Sequence, residues 1–78
     1  MRTQKAKFKE GEIIKNLHNN FQRIIRRIAY VEKNGMLEVR YFYSGEKLDD
    51  SLKPTGRFSD EIAGNCSQTT MLNWQKKQ

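Results

Sequence analysis

The chain has a single cysteine (Cys66), a single histidine (His18) and a single proline (Pro54). One cysteine makes no internal disulfide, which excludes the stapled scaffold of a small secreted domain. One Cys and one His also fall short of the ligand set of a structural zinc site, so no metal is expected. The longest unbroken apolar run, Ile28 to Val31, is four residues, against the roughly 20 that span a bilayer. The start, Met1-Arg2-Thr3-Gln4-Lys5, is charged, yet no apolar stretch follows it as in a secretory leader. A cytoplasmic protein with no membrane partner is the expectation. Catalytic equipment is scarce as well: there is no Gly-rich phosphate loop, no oxyanion-hole motif and no second histidine. Neither enzymatic activity nor a cofactor is expected.

What the chain does have is charge and aromatic rings. Its 78 residues carry 15 Lys and Arg against nine Asp and Glu, for a net charge of +6 and a pI near 9.7. That balance points to acidic partners, nucleic acid first and an acidic protein next. The positive charge is uneven. Residues 1–10 hold four basic groups and one acidic, and residues 11–33 hold five and two. Residues 44–62 reverse the sign, with three basic and five acidic groups, before Lys76 and Lys77 restore it. Four Phe, three Tyr and one Trp within a 36% hydrophobic composition suffice for one small core. The division expected is a basic flexible arm over 1–7 and one small β-rich domain over 8–78.

Residues 12–33 admit two conformations. Ile13, Ile14, Leu17, Phe21, Ile24, Ile25, Ile28 and Val31 fall within an arc of about 120° when wound as a helix, which allows a long amphipathic helix packed on a small sheet. Against it stand Asn19-Asn20, which prefers turns, and the abundance of Ile, which suits strands. Asn34-Gly35 decides for strands, because a type I′ hairpin turn needs positive φ at two successive residues. Closing that turn pairs Lys33 with Met36, Tyr30 with Val39, Ile28 with Tyr41 and Arg27 with Phe42. One face then collects Ile24, Ile28, Tyr30, Leu37, Val39, Tyr41 and Tyr43. The other collects Arg23, Ile25, Arg27, Ala29, Glu38, Arg40 and Phe42. A slip of one residue would scramble both faces.

Around this hairpin, Phe8 to Asn16 reads as a turn feeding a first short strand, and His18-Asn19-Asn20 as the loop into the second. Residues 44–57, with two Gly, Pro54 and Asp49-Asp50, read as a long loop. Phe58 to Ala63 reads as one helical turn closed by Gly64. Ser67 is positioned to cap a terminal helix from Gln68 to about Lys77, whose Met71, Leu72 and Trp74 would pack on the sheet.

The phrase Phe8-x-x-Gly11-Glu12-Ile13-Ile14, followed by a basic strand and a hairpin ending in Val39-Arg40-Tyr41, resembles the opening of small SH3-like β-barrels. The ending Gly64-Asn65-Cys66-Ser67 with Leu72-Asn73-Trp74 is similar to uncharacterised bacterial or phage-encoded small proteins that close on a Cys-Ser…Trp phrase. The resemblance implies a mainly β (α+β) fold, a small barrel built on the central hairpin with a short C-terminal helix. It implies no catalytic residues. SH3-like barrels serve nucleic-acid and peptide binding alike, so it leaves the partner open.

The candidate site is the basic sheet face: Arg23, Arg27 and Arg40 with Phe42, joined by Lys5 and Lys7 of the arm. Guanidinium groups beside a ring suit phosphate contact and base stacking. The competing reading is a solvated face holding one cation–π pair. A non-enzymatic nucleic-acid-binding accessory protein is the expected function, with a protein–protein interaction module as the alternative. Cys66 is expected to be a buried, inert thiol, Asp49-Asp50 and Asp60-Glu61 solvated loop charge, and Trp74 a core anchor.

Overall fold

A computed structural model describes residues 2–77 and is almost entirely strand. Six strands form one sheet: β1 (Arg2–Thr3), β2 (Ile13–Asn16), β3 (Gln22–Lys33), β4 (Met36–Leu48), β5 (Pro54–Ser67) and β6 (Trp74–Lys76). β4 is the spine. One of its edges pairs antiparallel with β3, which pairs with β2, which pairs with β6. Its other edge is shared, with β1 running parallel to Met36–Leu37 and β5 antiparallel to the remainder.

The β2–β3–β4 core of the expectation holds, and every hairpin pair from Lys33–Met36 to Arg27–Phe42 is present. Asn34 and Gly35 take φ of 52° and 79°, the double positive φ of a type I′ turn. The helix alternative over 12–33 is therefore overturned. So is the SH3-like barrel. The sheet is open, because its outer strands are β6, only three residues long, and β5 on the far side of β4, and they do not pair. The molecule is accordingly elongated, 47 × 23 × 18 Å, with the β3–β4 hairpin projecting beyond β2.

The second half of the chain departs most from expectation. Residues 44–57 are not a loop: β4 runs on to Leu48, and a short turn over Asp49–Lys53 leads into β5. Asp49 N–H donates to the Lys53 carbonyl (2.8 Å), and Asp49 Oδ1 accepts from Ser51 and Lys53 N–H (2.8 and 2.9 Å). Leu52 supplies the positive φ (60°) that such turns usually obtain from glycine or asparagine. Phe58 to Ala63 is strand rather than helix, with a break in register: Ser44 faces Ala63 but Gly45 faces Ser59. Asp60 to Ile62 therefore bulges out of the ladder, which spoils any alternation in the sequence. Gly64 lies opposite Tyr43, and its missing side chain makes room for the ring; a Cβ there would sit 2.6 Å from the Tyr43 hydroxyl.

The C-terminal helix is likewise replaced, by a single 3₁₀ turn (Gln68–Thr70) and β6. Ser67 makes no side-chain cap bond. The reason lies in β2, whose outer edge needs a partner. Leu17 N–H donates to Asn73 O (2.8 Å) and Lys77 N–H to Ile13 O (3.0 Å), bonds that an α-helix would forgo. Met71 and Trp74 are buried as anchors, whereas Leu72 is 80% exposed.

The core occupies one face only. Phe8, Ile14, Ile25, Val39, Tyr41, Met71 and Trp74 are buried together, with Ala6, Ile28, Tyr43 and Cys66 packed against them. Two segments outside the main strands cover this face, the N-terminal stretch through Phe8 and the turn around Met71. They are tied at Tyr41. Its hydroxyl accepts from Lys7 and Phe8 N–H (2.9 and 3.1 Å) and donates to Gln68 Oε1, and Gln68 Nε2 reaches Lys5 O (2.9 Å). The basic segment before Phe8, read from the sequence as a flexible arm, thus contributes β1 and half of the core's lid.

Candidate functional site

Arg26 is an extra residue in β3. Ile25 pairs with Tyr43 and Arg27 with Phe42, so two strand steps of β3 match one of β4 at this bulge. Paired residues point to the same side of a sheet, so the bulge reverses the facing of everything before it. Ile25 joins the core, fully buried, and Arg23 follows it onto the covered face. The sequence register put both on the opposite side, and that is corrected. Nothing in the sequence marks the bulge, because Arg26 and Arg27 are identical residues at the point of insertion.

Arg27 and Arg40 keep their expected places on the open face. The Arg27 guanidinium lies 4.3 Å from the Phe42 ring centroid, and Arg40 Nη1 donates to Asn65 Oδ1 on the neighbouring strand (2.8 Å). The register adds residues that the sequence reading did not gather. Arg2 and Lys33 both lie opposite Met36, and Lys15 follows the buried Ile14 and so faces away from the core. Arg26 donates to the buried Ser44 hydroxyl (3.0 Å), which in turn donates to Asp60 (2.9 Å), with an Arg26–Asp60 ion pair at 3.6 Å. The carboxylates on this side, half-buried Glu38 and exposed Asp60, are fewer than the cations. Glu46 is also present but buried, accepting from Gln22 and Gly56 N–H (3.1 and 2.5 Å).

Arg23, Lys5 and Lys7 are not part of this assembly. Arg23 stacks between Tyr43 and Trp74 on the covered side, at 4.0 and 4.3 Å from their ring centroids. Lys7 Nζ turns to the Trp74 carbonyl (3.5 Å) and the Phe8 ring, and Lys5 lies on the same covering segment. Of the six residues expected to bind together, the fold unites Arg27, Arg40 and Phe42.

His18 is exposed in the β2–β3 turn, and Cys66 sits half-buried on β5 opposite Tyr41, with no hydrogen bond between them. Asp49 serves its own turn. Among the described residues no group of His, Cys, Asp and Glu is arranged to hold a metal ion, and no helix is long and apolar enough to cross a membrane. No family model, curated protein or solved structure matches the chain. The open sheet removes the fold half of the SH3-like resemblance; its two short phrases remain as sequence features.

Proposed function

We propose that the protein binds nucleic acid, single strands in preference to duplex, on the open face of its sheet. The observation that carries this reading is the excess of cations on the open face: Arg2, Lys15, Arg27, Lys33 and Arg40 share it with few exposed carboxylates. Around them Phe42 offers a ring and Ala29 and Val31 a flat apolar floor, suited to a strand whose bases lie on the sheet and whose phosphates meet the cations. Among the described residues no α-helix is available to enter a major groove, so contacts to the backbone and base faces dominate and sequence preference is weak.

Titration of a labelled single strand and a labelled duplex at two salt concentrations tests it. Three phosphate contacts give log K against log salt a slope of roughly −2 to −3. Arg27→Glu with Arg40→Glu should remove most of the binding while the fold persists, since both side chains are outside the core. No binding of either nucleic acid at low salt overturns the reading. A protein partner then becomes the better account, for which the outer edge of β3 beyond Ile28, unpaired and carrying exposed Tyr30 and Val31, is the available template.

A further inference from the structure

A groove lies beside Arg23. It encloses about 450 Å³ at the end of the sheet away from the Asn34-Gly35 turn, walled by Phe21, Tyr43, Trp74, Leu48 and Ile62. Arg23 is half-buried here, and its guanidinium makes no hydrogen bond or ion pair with the described residues. Stacking between two rings satisfies only the faces of a guanidinium. Its N–H donors lie in the plane, directed past the rings, and meet no protein acceptor among the described residues, so they face solvent.

The other polar groups do not supply one. The Glu46 carboxylate is engaged by two backbone N–H groups. Asn16 Oδ1 accepts from His18 and Asn19 N–H, and Asn19 Oδ1 from Phe21 N–H, which leaves their amide NH₂ groups as further donors at the rim. Gln22 and the Tyr43 hydroxyl also line the groove and can donate or accept, and Arg23 and the two Asn amides stand as unengaged donors between apolar walls. The two stacked rings hold Arg23 in place, so little is lost in ordering it when an acceptor arrives.

We propose that this groove binds the C-terminal carboxylate of a partner polypeptide whose last residue is apolar. The charges favour a carboxylate over a phosphate. The lining holds one cation, Arg23, and one carboxylate, Glu46, so a monoanion adds one uncompensated charge and a dianionic phosphate adds two. The planar fork of a guanidinium also matches a carboxylate two-to-two. A chain terminus carries its carboxylate and its last side chain on the same carbon. That side chain is then placed against Leu48 and Ile62, which are 41% and 45% exposed and have nothing over them. A nucleobase is less well served, because Tyr43 and Trp74 each already stack on Arg23.

The site uses none of the cations of the open face, so it stands or falls independently of the nucleic-acid reading. The test is a titration of isotope-labelled protein with N-acetyl-alanyl-leucine and with the same dipeptide as its C-terminal amide, observed at Arg23 Nε–H and Trp74 Nε1–H. The acid should shift both signals saturably, and the amide should bind at least about tenfold more weakly. Arg23→Met keeps an unbranched stem between the rings and should abolish acid binding; Arg23→Lys should restore only part of it. Should Arg23→Met fail to fold, the acid–amide comparison on the unaltered protein decides alone. Equal shifts from acid and amide, or none up to about 10 mM acid, overturn the proposal. So does tighter binding of a nucleoside monophosphate at the same two signals.

Discussion

Arg23 and Arg27 lie four residues apart on one strand, and each stacks on an aromatic ring of β4 at close to 4 Å. Beyond that they share little. Arg23 is clasped between Tyr43 and Trp74 on the side that holds the core, with a groove in front of it. Arg27 lies over Phe42 in the open, among other cations. The difference between them is one bulged residue, Arg26. The comparison shows that the role of a charged side chain in a sheet is set by the parity of its distance to the nearest register break, and not by its neighbours in sequence.

The sharpest way to break the comparison is with two deletions in the same strand. Removing Ile24 leaves the chain two choices. Either Arg23 moves to the open face, away from its rings, or the bulge is absorbed and Arg26 replaces Ile25 in the core. Both should cost about 3 kcal/mol or more, enough to unfold much of a domain this small, as thermal denaturation would reveal. Removing Arg26 takes out the extra residue itself and keeps Ile25 opposite Tyr43. Its cost should be limited to the contacts that Arg26 makes with Ser44 and Asp60, about 1–2 kcal/mol. Equal losses from the two deletions would refute the bulge as the feature that sorts the faces.

The next effect in size concerns how the covered face is held. Tyr41→Phe removes the hydroxyl that Lys7, Phe8 and Gln68 share; Lys7 N–H still donates to Gln68 Oε1 (2.8 Å), and the buried Phe8 N–H is left without a partner. About 1–3 kcal/mol of stability should be lost in denaturant titration. Hydrogen exchange should rise first at the Phe8 amide, with Lys7 held by its bond to Gln68. Smaller still is the contrast between the two arginines. Arg23→Ala should cost about 1–2 kcal/mol, because a packed stem and two ring contacts go with it. Arg27→Ala, exposed and stacked on one ring, should cost about 0.5 kcal/mol. A control belongs to neither face. Leu52→Gly relieves a positive φ at an exposed side chain and should raise stability by up to about 1 kcal/mol.

The two hairpins of β4 show why half of this fold was legible and half was not. Asn34-Gly35 is the residue pair that a tight turn with two positive φ angles demands, and alternating apolar residues run out from it on both sides. The pairing from Lys33–Met36 to Arg27–Phe42 follows from those residues alone. The Asp49–Lys53 turn carries its positive φ on Leu52, a residue that resists it, and announces nothing. With that turn hidden, Gly45, Pro54 and Gly56 looked like loop residues. In the fold, Pro54 merely opens β5, and Gly45 lies beneath the Ile62 side chain. The terminal segment misled for another reason: Ser67, Met71, Leu72 and Trp74 suit a capped helix locally, and the unpaired edge of β2 drew the backbone into a strand instead. Of the candidate site, Arg27, Arg40 and Phe42 were accessible from the hairpin register, because they lie on the turn side of the bulge. Arg23 lies beyond it, and Lys15, Lys33 and Arg2 required knowledge of which strands flank the hairpin.

By itself the sequence determined that the chain is basic, that it is built on a hairpin turning at Asn34-Gly35, and that Tyr41, Val39 and Ile28 share a face. These are local facts: turn residues with the right backbone preference, and side-chain alternation counted from a known origin. Only the tertiary structure decided that the sheet stays open, that the N-terminal segment and the Met71 turn cover one side of it, and that Arg23 belongs to that side. Each of these depends on where a non-neighbouring strand needs hydrogen bonds or where a ladder takes in an extra residue. The energies involved, those of unpaired strand edges and buried side chains, outweigh the propensities of the residues concerned.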